Sequence, residues 1–64
     1  MTTDYDITEA MIVYGGGFVQ LLGRLYRHAD IMNQARIREA WPEYWQQYSD
    51  IAAKRLSVVE QAHG

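Results

Sequence analysis

Apolar residues recur at Ile7, Met11, Tyr14, Phe18, Leu21 and Leu25, with gaps that alternate between four and three. That period marks one face of an α-helix, and it constrains the fold more than any other feature of the chain. A second apolar stripe, Ile12, Gly16, Val19, Gly23 and Tyr26, runs beside the first. Only the sector with Gln20, Arg24 and Arg27 is plainly polar. A helix this apolar around its circumference is central to a fold or shared between chains. Asp6-Ile7-Thr8-Glu9 reads as its start, with Asp6 accepting from first-turn N–H groups and Glu9 reaching back. The spacing therefore predicts a helix over about residues 7–28.

Gly15-Gly16-Gly17 falls in the middle of that helix. Each glycine costs a helix interior roughly 1 kcal/mol relative to alanine. A break would leave two shorter helices, whereas a continuous helix needs a neighbour that approaches its backbone closely. Gly16 and Gly23 lie on one face, which favours packing, so Gly15, Gly16, Gly17 and Gly23 are assigned to close helix contact. The triplet does not match a nucleotide fingerprint. Gln20 stands where a third glycine belongs, and no lysine follows.

Asp30 reads as the cap of a short helix over about residues 31–40, with Ile31, Ala35, Ile37 and Ala40 as its apolar residues. Arg36, Arg38 and Glu39 are expected in solvent. Pro42 suits the first turn of a further helix, where its missing N–H costs nothing. From there Tyr44/Trp45, Tyr48, Ile51/Ala52, Leu56, Val59 and Ala62 keep a helical period to about residue 61. The outer helices would span about 33 Å and about 30 Å at roughly 1.5 Å per residue. The expected fold is all-α, one domain over residues 1–64. It is a long–short–long arrangement in which a short helix caps an antiparallel helical hairpin.

The chain has 64 residues and no cysteine. A fold this small without staples needs exceptional helix packing or oligomerisation. Two hairpins pairing through the first helix would make a four-helix bundle, so a homodimer is expected.

Little points to chemistry. The histidines are His28 and His63. Glu60-x-x-His63 has the spacing of a di-iron ligand pair, but further carboxylates on facing helices are required. His28 with Asp30 supplies at most two ligands where catalytic zinc needs three. Ser49 and Ser57 sit mid-helix without a histidine at helical spacing. No catalytic residue, metal ligand or cofactor site is assigned, and the chain is expected not to be an enzyme. The start, Met1-Thr2-Thr3-Asp4, lacks the basic region of a signal peptide, and the longest apolar stretch is too short for a bilayer. A cytoplasmic protein without membrane contact is expected.

Four of the eight aromatic residues, Trp41, Tyr44, Trp45 and Tyr48, fall in one eight-residue block. Helical spacing splits the block into two adjoining stripes. Trp41, Tyr44, Tyr48, Ile51 and Arg55 lie on one, and Trp45, Ala52, Leu56 and Val59 on the other. Aromatics at helical spacing usually build a core. Trp, Tyr and Arg are also the residues enriched in binding hot spots, and sequence leaves both readings open. Arg24, Arg27, Arg36 and Arg38 flank the junction before the short helix. They would orient a protein partner, or alternatively contact nucleic acid phosphates while the aromatics stack on bases. A formal net charge of −2 weighs against nucleic acid.

Several strings carry a resemblance: Tyr14-Gly15-Gly16-Gly17-Phe18-Val19, Leu22-Gly23, Arg27-His28-Ala29-Asp30, Asn33, Arg36-Ile37, and Pro42-Glu43-Tyr44-Trp45 with Tyr48. In order and spacing the chain resembles small proteins encoded by tailed phages and prophages, over about residues 14 to 52. The resemblance implies a setting rather than a site. Such accessory proteins act in the cytoplasm of the bacterial host by binding a host or phage protein. The expected function is therefore non-enzymatic protein–protein binding, with inhibition of a host defence or host enzyme as the concrete form. Trp41, Tyr44, Trp45 and Tyr48 would anchor the contact, and Arg24, Arg27, Arg36 and Arg38 would set its orientation. A small nucleic-acid-binding regulator is the alternative.

Overall fold

Four helices, not three, make up the computed structural model. They are α1 (Asp4–Tyr14), α2 (Gly17–His28), α3 (Ile31–Ala40) and α4 (Pro42–His63). The structure describes residues 2–63, with side chains up to Ser57. Val59, Ala62 and the Glu60/His63 pair lie outside the described side chains. Every described element is helical, as the apolar periods predict.

The α1 start lies upstream of the predicted one. Thr3, not Asp6, is the cap: its hydroxyl oxygen accepts from the Asp6 N–H at 3.2 Å. The Asp6 carboxylate accepts from the Thr3 N–H at 3.0 Å and from its hydroxyl at 2.8 Å. This reciprocal box satisfies two donors at once. The bond from the Thr3 backbone, then that from its side chain, holds the Asp6 carboxyl below its usual range.

The expected continuous helix over 7–28 is broken after Tyr14. Gly15 (φ −74°, ψ 157°) and Gly16 (φ −71°, ψ −178°) are both extended, and the chain reverses there. The reversal lays the Val19, Leu22 and Tyr26 face of α2 against Ile7, Ala10 and Met11 of α1. One straight helix could not bury both faces within a chain this short, and apolar burial is the dominant favourable term. The stripe read as continuous is cut in two. Ile7 and Met11 are buried, while Tyr14, Phe18, Leu21 and Leu25 are exposed.

The four glycines separate by role. None has a positive φ, so backbone shape alone does not demand glycine. A Cβ at Gly15 would lie 2.4 Å from the Met11 carbonyl oxygen and 2.7 Å from Val19 Cγ1. At Gly23 it would meet Met11 Cβ at 3.1 Å and the Thr8 carbonyl oxygen at 3.2 Å, where α2 crosses α1. Nothing lies within 4 Å of a Cβ at Gly16 or Gly17. The assignment of those two to close packing is therefore corrected, because both face open space at the reversal.

The later boundaries follow their local signals. Asp30 caps α3, its Oδ1 accepting from the Asn33 N–H at 2.8 Å. The Trp41 N–H closes α3 on the Ile37 carbonyl at 3.1 Å, and Pro42 opens α4. Gln34 Nε2 donates to the Tyr26 carbonyl at 3.1 Å, joining α3 to α2. α1 packs on α2 and α4, and α3 packs on α2 and α4. Ile31, expected to be an apolar contact, is exposed, because α3 turns Ile37 to the core instead.

Candidate functional site

Tyr26 joins all four helices. It is 2% exposed. Its ring lies 4.4 Å from that of Trp45 on α4, centroid to centroid. Its hydroxyl donates to Asp4 Oδ2 of α1 at 2.8 Å and accepts from Arg38 Nη1 of α3. Arg38 also approaches Asp4 at 3.8 Å. Burial, then the hydrogen bond to Asp4 and that residue's charge, push the Tyr26 phenol above its usual pKa, against the pull of Arg38. Arg38 was expected in solvent. It is instead half-buried and engaged within the chain.

Arg27 is engaged as well. Its Nε donates to Thr8 Oγ1 at 2.9 Å, and its Nη2 pairs with Glu9 at 2.9 Å. The guanidinium sits 4.3 Å from the Tyr5 ring centroid. Arg27 thus straps α2 to α1 and satisfies the buried Thr8 hydroxyl, a role that sequence spacing did not indicate. Arg24 and Arg36 are exposed, and neither forms an ion pair among the described residues.

The aromatic block turns mostly inward. Tyr48 is 6% exposed, and Trp41, Tyr44 and Trp45 pack against the core. Trp41 meets Phe18 edge-on at 5.7 Å, and Tyr44 meets it at 6.0 Å. Both stripes of α4 reach the core, since Tyr48 comes from one and Ala52 from the other. Trp41, half-buried like Tyr44 and Trp45, also lines a surface groove.

Exposed large apolar side chains occur on α1 (Tyr5, Val13 and Tyr14), on α3 (Ile31 and Met32) and, as one stripe, on α2. Phe18, Leu21 and Leu25 are 57%, 69% and 55% exposed. They sit at i, i+3 and i+7 on the side of α2 that faces away from α1. With Leu22 and Trp41 they line one segment of the groove. The next segment shares Leu25 and Trp41 and runs on between α2 and α3, past His28, Asn33, Arg36 and Ile37. The predicted aromatic and arginine site residues do not include this face. Its signal was in the sequence, as the second half of the Ile7–Leu25 stripe.

Among the described residues no three His, Asp or Glu side chains come together as a metal-binding group. Among the same residues no helix is long and apolar enough to cross a membrane. The groove has an apolar lining that includes Trp41, and Arg36 is the guanidinium among its lining residues. Compared with protein-family models, with curated proteins and with solved structures, the chain matches none.

Proposed function

We propose that this chain is a non-enzymatic protein that acts by binding another protein through the α2–α3 groove. The observation that carries this reading is the Phe18, Leu21 and Leu25 stripe, three large apolar side chains more than half exposed in a row. Contiguous apolar surface of this kind marks interaction sites more often than scattered exposed residues do. Trp41 is the aromatic anchor at its floor, and Arg24 and Arg36 orient the partner. Tyr44, Trp45 and Tyr48 support the surface from beneath rather than touching the partner. Arg27 and Arg38 hold the fold.

The resemblance to small tailed-phage and prophage proteins supports an accessory role in the cytoplasm of a bacterial host. Covering a surface of a host defence protein or host enzyme is the concrete form of that role. A homodimer through α2 belongs to the same class of reading. It would oppose the Arg24 and Arg36 margins of two copies, so a different protein is the better partner. The nucleic-acid alternative loses Arg27 and Arg38 to bonds within the chain, and two separated arginines make a poor phosphate track.

The test is site-specific photo-cross-linking in bacterial cells, with benzoylphenylalanine in place of Phe18 or, as a control, of the exposed Gln47 on α4. The reading predicts a discrete protein adduct from position 18 and none from position 47. Adducts from neither position, or from 47 alone, would refute it.

A further inference from the structure

We infer that the occupant of this groove is an acidic amphipathic helix. The inference rests on the protein-binding reading above and names the chemistry of the partner. From Phe18 to His28 the groove follows eleven residues of α2, a rise of about 15 Å or nearly three helical turns. That length suits a helix laying down apolar anchors at i, i+4 and i+7.

Charge selects which helix. No Asp or Glu lines either segment of the groove. Arg36 lines it directly. Arg24 stands beside Leu21, about 60° further around α2 at roughly 100° per residue. Glu39, exposed on α3 three residues past Arg36, lines neither segment, and four other acids are engaged within the chain. Asp4 is held by Tyr26 and Arg38, Glu9 by Arg27, and Asp6 and Asp30 by their caps. A chain with a formal net charge of −2 therefore presents an apolar groove whose lining carries the Arg36 guanidinium and no carboxylate. A basic helix would meet like charge there, and so would a second copy of this groove. Glu or Asp flanking an apolar stripe complements both guanidinium groups. Such margin charges set association rate, salt dependence and specificity more than raw affinity.

The experiment uses the full chain and two fluorescently labelled helical peptides. Both carry leucine at i, i+4 and i+7, one flanked by glutamate and the other by lysine. Fluorescence anisotropy should show the glutamate peptide binding about tenfold tighter at low salt, with the preference narrowing as salt screens the margin. Arg24→Glu combined with Arg36→Glu should transfer the preference to the lysine peptide, while Leu21→Asp should weaken both. These positions are exposed, so circular dichroism of the variants should match the parent. Equal binding, a lysine preference, or no binding of either peptide overturns the inference. So does dimerisation of the free chain that Leu21→Asp abolishes, which would make a second copy the occupant. If the peptides fail while position 18 still cross-links, the protein-binding reading survives and only the acidic helix is lost. If both fail, the reading beneath it fails as well.

Discussion

Removing one oxygen from Tyr26 tests how the four helices are held together. Tyr26→Phe keeps the ring against Trp45 and deletes the hydroxyl that bonds Asp4 and Arg38. A hydrogen bond to a charged group contributes roughly 1.5–3 kcal/mol. Asp4 and Arg38 side chains are 57% and 40% exposed, so water recovers part of that loss. The expected cost is about 1–2 kcal/mol. For a domain of this size that lowers Tm by roughly 5–15 °C. Tyr26→Ala also removes the ring, at roughly 3–5 kcal/mol. A chain of this length holds only roughly 3–10 kcal/mol in all, so Tyr26→Ala should leave little folded protein at 37 °C. The assay is thermal unfolding followed by circular dichroism at neutral pH, with Tyr26→Phe made also in an Asp4→Ala background. The double change should cost less than the sum of the single ones, because both remove the same bond. A Tyr26→Phe chain as stable as its parent, or strict additivity with Asp4→Ala, would refute the reasoning.

Other predictions follow from the same contacts. The phenol of folded Tyr26 is raised, so its stabilising effect is complete below pH about 10 and is lost as pH climbs through the higher folded value. Alkaline melts should show that loss in the parent and not in Tyr26→Phe. Gly15→Ala should destabilise by about 1–3 kcal/mol in chemical unfolding, since its Cβ would press on the Met11 carbonyl and Val19. Gly16→Ser should instead stabilise by about 0.5–1 kcal/mol in the same assay. It fills open space, supplies the side-chain cap that α2 lacks, and restricts the unfolded chain. The depressed Asp6 carboxyl stabilises the fold above its ordinary pKa, and that effect is lost as pH falls through the lower folded value. Asp6→Asn should therefore flatten the acid limb of the stability profile measured by circular dichroism.

Periodicity and punctuation together made the helices legible. Asp30 and Pro42 act within one turn of their own positions, so those boundaries could be read locally. The cap at Thr3 obeys the same local rule, but Asp6-x-x-Glu9 offered a competing match. The break at Gly15 and Gly16 was harder. Glycine cost and glycine packing argue in opposite directions, and burial of α2 on α1 decides between them. The arginines were the least legible. Arg24 and Arg27 lie on one helix at neighbouring angles, yet only Arg27 finds Thr8, Glu9 and Tyr5 across the reversal. Partners from another helix are a tertiary fact. For the same reason the spacing of Trp41, Tyr44, Trp45 and Tyr48 gave their faces but not what would cover them.

The central claim is that the Phe18–Leu21–Leu25 face is spare in this fold and reserved for a protein partner. The most direct measurement is the cross-linking yield from position 18 in cells, with and without Leu21→Asp. The account predicts a discrete adduct with the parent chain, and loss of that adduct in a Leu21→Asp chain that folds and melts like the parent. An adduct that persists despite Leu21→Asp would contradict the account. So would a Leu21→Asp chain that fails to fold, because the face would then belong to the core.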